Sequence, residues 1–143
     1  MIGGSRVVAT TPHGELTVDE IAAMQPGLAT LMDLLARRYW TMYYAAHGGN
    51  WELADYEHRE SMKLLATMQK VRPKYADDLR TFEQEIFRPL GVALTNRDIG
   101  AFEAVYHEGI RASDRYHDKW QKSYIRFRLP NRPPDFLDVG DGA

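Results

Sequence analysis

At 143 residues, with 44% apolar and 27% charged content, the chain has the size and make-up of one globular domain around a single core and is too apolar for a disordered segment. Eighteen basic against twenty acidic residues leave a net charge of −2, which excludes an overall field drawing the protein onto nucleic acid or an anionic membrane. The complete lack of cysteine excludes disulfides, thiolate metal sites, cysteine nucleophiles and thioether-linked haem.

Residues 1–14 (MIGGSRVVATTPHG) lack the apolar run of roughly 7–15 residues that an export signal requires, and no stretch approaches the roughly 20 apolar residues of a membrane span. A cytoplasmic location away from the membrane is the expectation. Residues 1–16 read as an amino-terminal tail. Thr17-Val-Asp-Glu20 has the form of a capping box and opens a short helix ending near Gln25. Pro26 suits the first turn of a longer helix, where its missing amide would have no partner. In that first long helix Leu28, Met32, Leu35, Tyr39, Met42 and Ala46 recur at steps of four and three, and Gly48-Gly49 stops it.

Asn50 caps a second long helix carrying Trp51, Ala54, His58, Ser61, Leu65 and Met68 on one face. A third starts around Pro73 with Leu79, Phe82, Ile86, Leu90 and Ala93 inward, and Pro89 is expected to kink it. Asn96 or a neighbour caps a fourth, whose stripe reads Ile99, Phe102, Tyr106, Gly109, Ser113, His117 and Trp120. From residue 123 the Pro-rich sequence reads as an extended strap with Ile125, Phe127, Leu129 and Phe136 pressed inward. The fold expected is all-α: one domain, an antiparallel up-down-up-down four-helix bundle over residues 17–122, with a short amino-terminal helix and an extended carboxy-terminal strap over 123–143.

Two inner stripes contain a histidine beside small residues: His58 between Ala54 and Ser61, and His117 one turn from Ser113. Each implies a polar group to satisfy and some unfilled volume, hence a pocket, or else a core imidazole bonded to a tyrosine or a carbonyl. Helix rise separates the two, so they define two environments. Around His117 the expected neighbours are greasy: Leu28, Leu31, Met32, Leu35, Leu65, Met68 and Leu79. Around His58 they are aromatic and polar: Tyr39, Tyr43, His47, Phe102, Tyr106 and Glu103 or His107. That second end suits acid-base chemistry, with His58, Tyr43 and Tyr106 the candidate catalytic groups.

Asp55-Tyr-Glu-His58 and Asp114-Arg-Tyr-His117 each place a carboxylate three residues before a histidine, as di-iron carboxylate bundles do with glutamate. Asp55, His58, Asp114 and His117 are therefore the candidate metal ligands, although the shorter acids, the unequal heights and the lack of carboxylates on the other two stripes count against a dinuclear site. Glu103-x-x-x-His107 has ligand spacing too, but that pattern also occurs as a helix-supporting pair. Scattered basic residues mixed with acids read as a solvated face, so no nucleic-acid partner is expected.

The segment 102–117, FEAVYHEGIRASDRYH, followed by 124–134, YIRFRLPNRPP, resembles the end of small bacterial cytochrome c′-like proteins, and Gly27-Leu-Ala-Thr-Leu-Met with the run 44–56, YAAHGGNWELADY, resembles their first helices. In that family a Cys-x-x-Cys-His motif tethers haem. Here the matching positions read Ser113-Asp-Arg-Tyr116-His117, so the tethers are absent while the histidine remains. The resemblance implies His117 as an axial ligand, Met32 in the distal region, a cavity lined by Leu31, Leu35, Leu65 and Leu79, and a homodimer through the first two long helices. Loss of the tethers equally implies loss of the cofactor, the cavity being refilled by Tyr116, Trp120 and methionines.

Three functions follow as expectations. The leading one is a haem-free bundle, with no cofactor, that binds a small apolar ligand or a protein partner in an internal pocket; in it His117, Met32, Leu35, Leu65 and Tyr116 line the site. The second is a non-covalent haem protein for a diatomic gas or an electron. The third is a small enzyme using His58 with tyrosines or a bound metal.

Overall fold

The computed structural model describes residues 7–142, which are mostly helical with one small two-stranded sheet. Strands β1 (Val7–Thr11) and β2 (Gly14–Thr17) pair antiparallel, with Thr10 opposite Glu15 and Thr11 opposite Gly14. The Thr11 hydroxyl closes the turn by donating to the Gly14 carbonyl at 3.1 Å and accepting from the His13 amide at 3.1 Å. The described part of the expected tail is therefore a hairpin. Its signal is a β-branched run, Val-Val-Ala-Thr-Thr, followed by Pro-His-Gly. Residues 1–6 lie outside the described residues. Thr17 ends β2 and caps α1 (Val18–Ala23): its hydroxyl accepts from the Glu20 amide while Glu20 accepts from the Thr17 amide, the reciprocal arrangement expected.

Helix α2 (Leu28–Gly48) starts after Gly27 rather than at Pro26 and ends at Gly49, whose φ of +85° is open to glycine at little cost. Asn50 caps α3 (Trp51–Val71) by accepting from the Leu53 amide. After a 3₁₀ turn over Pro73–Tyr75, helix α4 (Ala76–Phe82) runs into a π-helical segment, Glu83–Phe87, and then α5 (Arg88–Thr95). Pro89 was expected to kink one continuous helix. The backbone instead widens ahead of it, leaving Pro89 in the first turn of α5, where a missing amide breaks no hydrogen bond. Asp98, not Asn96, caps α6 (Ile99–Lys119) by accepting from the Ala101 amide.

Packing joins α2 to α3, α3 to α4 and α5, α5 to α6, and α6 back to α2. Leu31, Leu35, Tyr39, Met42, Leu65, Met68, Phe87, Leu90, Phe102 and Tyr106 form the centre of one continuous core. The inward stripe of α6 reads Phe102, Tyr106, Gly109, Ala112 and Tyr116, a 4-3-3-4 spacing. It departs from the expected stripe after Gly109 because helical periodicity carries the inward face back by one residue. Ser113 and His117 are consequently half-buried at the edge of the core.

Beyond α6 the chain returns along α2. The Tyr44 hydroxyl donates to the Pro130 carbonyl (2.6 Å), the Trp40 indole to the Arg132 carbonyl (2.8 Å) and the Asn50 amide to the Asp138 carbonyl (2.7 Å). Phe127 and Leu129 pack on the core as expected. Ile125 and Phe136 do not: they are 40% and 50% exposed, and Phe136 lies at the surface beneath the Arg37 guanidinium, 4.2 Å from its ring centre. Pro134 and Val139 are the buried residues of this segment.

Candidate functional site

His58 lies in a groove between α3 and α5. Its Nε2 donates to the Phe87 carbonyl at 2.6 Å, and its ring lies against Gly91 of α5 so closely that a Cβ there would fall 2.8 Å from Cε1. Phe87 ends the π-helical segment and Gly91 lies one turn further on in α5, where the lack of a side chain lets the His58 ring approach the helix. An open groove of about 550 Å³ results, lined by Asp55, His58, Arg59 and Met62 of α3 and by Arg88, Gly91, Val92 and Thr95 of α5. His58 Nδ1 has no protein partner among the described residues and is not sealed from solvent.

The aromatic surroundings expected for His58 exist elsewhere. Because α3 packs on α2, α4 and α5, His58 meets α5, and the cluster of Tyr39, Tyr43, His47, Phe102, Glu103, Tyr106 and His107 assembles between α2 and α6 without it. At its centre Glu103 Oε2 lies 2.6 Å from His47 Nε2, while Oε1 lies 2.9 Å from His107 Nε2 and accepts from the Tyr43 hydroxyl at 3.2 Å. Partial burial pushes the Glu103 carboxyl up, but the hydrogen bonds from His107, His47 and Tyr43 together hold it below its ordinary range. Burial, and then the neighbouring Glu103 charge, pushes the Tyr43 phenol up. These groups form one hydrogen-bonded chain that links α2 to α6. The Tyr106 hydroxyl is buried and donates to the Tyr39 carbonyl, and burial raises its pKa well above the ordinary phenolic value.

The four metal candidates do not converge: Asp55 and His58 line the groove on α3, whereas Asp114 and His117 belong to α6. The Asp55 carboxylate is taken by Arg97 Nη1 at 3.0 and 3.2 Å, and Asp114 lies 4.0 Å from Arg126 Nη1 on another face. Among the described residues no three histidine or acidic side chains converge where a metal ion would sit.

The haem reading can be tested on the same residues. His117 Nδ1 donates to the Ser113 carbonyl at 2.8 Å, Leu35 and Leu65 are closed into the core, and Met32 packs on that core from its edge. A second groove, of about 270 Å³, touches Tyr116, Phe82, Glu85 and Arg115 but not His117. Neither groove reaches His117, Met32, Leu35 or Leu65.

Sequence reading missed Glu57, which is 3% exposed on the inward side of α3 and bonded to Arg38 Nη1 at 2.6 Å. It falls one residue before His58, so the stripe assigned to the helix was one position out of phase there. Arg59 and Arg88 were also passed over, since each is an ordinary surface arginine until the two helices are put side by side.

No helix of the described residues is long and apolar enough to cross a membrane. Comparison with protein-family profiles, with curated proteins and with solved structures finds no match to this chain.

Proposed function

We propose that this chain is a non-catalytic binding protein and that its ligand sits in the groove between α3 and α5, over His58. The observation that carries the reading is the contact of the His58 ring with Gly91, which holds an imidazole at the floor of an open hollow of about 550 Å³ that no described segment fills. A histidine whose only task was core packing would have both its nitrogens satisfied or covered, whereas here one is satisfied and the other has no protein partner among the described residues. The helices around it form a packed frame in the manner of a bundle, so the hollow is held open by the fold rather than by a mobile loop.

The test is a screen of small molecules followed by ¹H–¹⁵N NMR. The reading expects at least one binder to shift the amides of Gly91, Val92 and Thr95 and the imidazole of His58, leaving Tyr43 and Glu103 unmoved. Binders that shift only residues elsewhere would contradict it. Gly91→Ala should abolish the effect by pushing the His58 ring into the hollow.

A further inference from the structure

The groove has a charge pattern that its shape alone does not require. Arg59 stands on its α3 side and Arg88 on its α5 side, and among the described residues neither forms an ion pair with an acidic side chain. The one acid in the lining, Asp55, is matched by Arg97, which also lies over the Trp51 ring at 5.2 Å. Two arginines thus line one hollow without an ion-pair partner among the described residues, with Glu60 beside Arg59 and the paired Asp55 the acids nearby, in a protein whose overall charge is −2. Leaving like charges together is unfavourable, and a bound anion relieves it with charge-assisted hydrogen bonds that guanidinium makes in pairs. Met62 and Val92 supply apolar wall to the same groove, and Val92 is 60% exposed.

We propose that the groove binds a small organic oxyanion, a carboxylate or phosphate ester, its charged head between Arg59 and Arg88 above His58 and its carbon chain against Met62 and Val92. Arginine reads the planar or tetrahedral oxygens, and the His58 ring, fixed by its bond to the Phe87 carbonyl, forms the floor beneath them. This assignment rests on the groove being the ligand site, and names the class of ligand that the site takes.

The experiment titrates the full chain with hexanoate, with hexanamide, which has the same shape without the charge, and with inorganic phosphate, following the Gly91, Val92 and Thr95 amides. Hexanoate is expected to bind at least about tenfold more tightly than hexanamide, with affinity falling as salt rises. Arg59→Gln and Arg88→Gln should each weaken hexanoate by about tenfold, and neither variant removes a contact the fold uses. Phosphate should shift the same amides and lose that effect in the double variant. If hexanamide binds as well as hexanoate and the arginine variants change nothing, the groove remains a ligand site but the oxyanion assignment is overturned. If none of the three probes shifts those amides while circular dichroism shows the fold intact, the assignment falls; the small-molecule screen then decides separately whether the groove binds anything else.

Discussion

The Tyr39 hydroxyl donates to the Tyr106 carbonyl at 2.6 Å, and the Tyr106 hydroxyl donates back to the Tyr39 carbonyl at 2.8 Å, while the two rings stack with centres 3.9 Å apart. This reciprocal pair ties α2 to α6 through the middle of the core. Gly109 makes it possible, because a Cβ there would run into the Tyr39 hydroxyl and come 2.9 Å from Ile86. Tyr106→Phe, which removes one hydroxyl and no ring, should cost about 1 kcal/mol in urea unfolding. Gly109→Ala should cost about 1–3 kcal/mol, and appreciably less in a Tyr39→Phe background. Additive costs in that cycle would show that the hydroxyl is not what glycine accommodates.

Glu57 supplies a pH test. Burial pushes its carboxyl above the ordinary value, outweighing the opposing pull of Arg38. A carboxyl raised in the folded state contributes stability below its unfolded pKa and loses it as pH rises through the folded one. Glu57→Gln should remove that loss. Arg38, at 29% side-chain exposure, can still reach water, so stability at pH 7 should be unchanged or raised by up to about 2 kcal/mol. A large destabilisation at pH 7 would mean the ion pair outweighs its desolvation.

Glu103 should act in the opposite sense. Its carboxyl is held low, so its contribution is present above the unfolded pKa and is lost as pH falls through the depressed one. Unfolding followed from pH 7 to pH 3 should show wild-type stability falling more steeply than that of Glu103→Gln. The difference should be small, because the group is partly solvated. Equal slopes would remove any role for the His47–Glu103–His107 chain in stability.

Gly140 anchors the chain's return along α2. Its φ is +99°, and a Cβ there would strike the Gly48 carbonyl. Gly140→Ala should release the segment around Pro134 and Val139, read as faster hydrogen exchange over residues 127–142 with the amides of α3 and α6 unchanged. Exchange unchanged in both regions would show that the segment is held without that close approach.

Much of the helical content was legible because it rests on local chemistry. The capping box at Thr17, the glycine stop at Gly49 and the Asn50 cap each follow from a few adjacent residues, and all three are present. The hairpin escaped because a short, β-rich lead-in carries too little periodicity to stand out beside long amphipathic helices. The site was harder. His58 was visible as an anomaly on its stripe, but its partners depend on which helix lies beside α3 and on the π-helical segment that ends at Phe87, neither of which is encoded in spacing. For His117, the stripe reading failed by one residue, enough to move the ring from the core to its edge.

The most direct measurement is a crystal structure of the protein grown with hexanoate. The account expects density for the carboxylate between the Arg59 and Arg88 guanidinium groups, above the His58 ring, and the chain along Met62 and Val92. A groove that is open to solvent in the crystal and saturated with the compound, yet holds no such density, would contradict it.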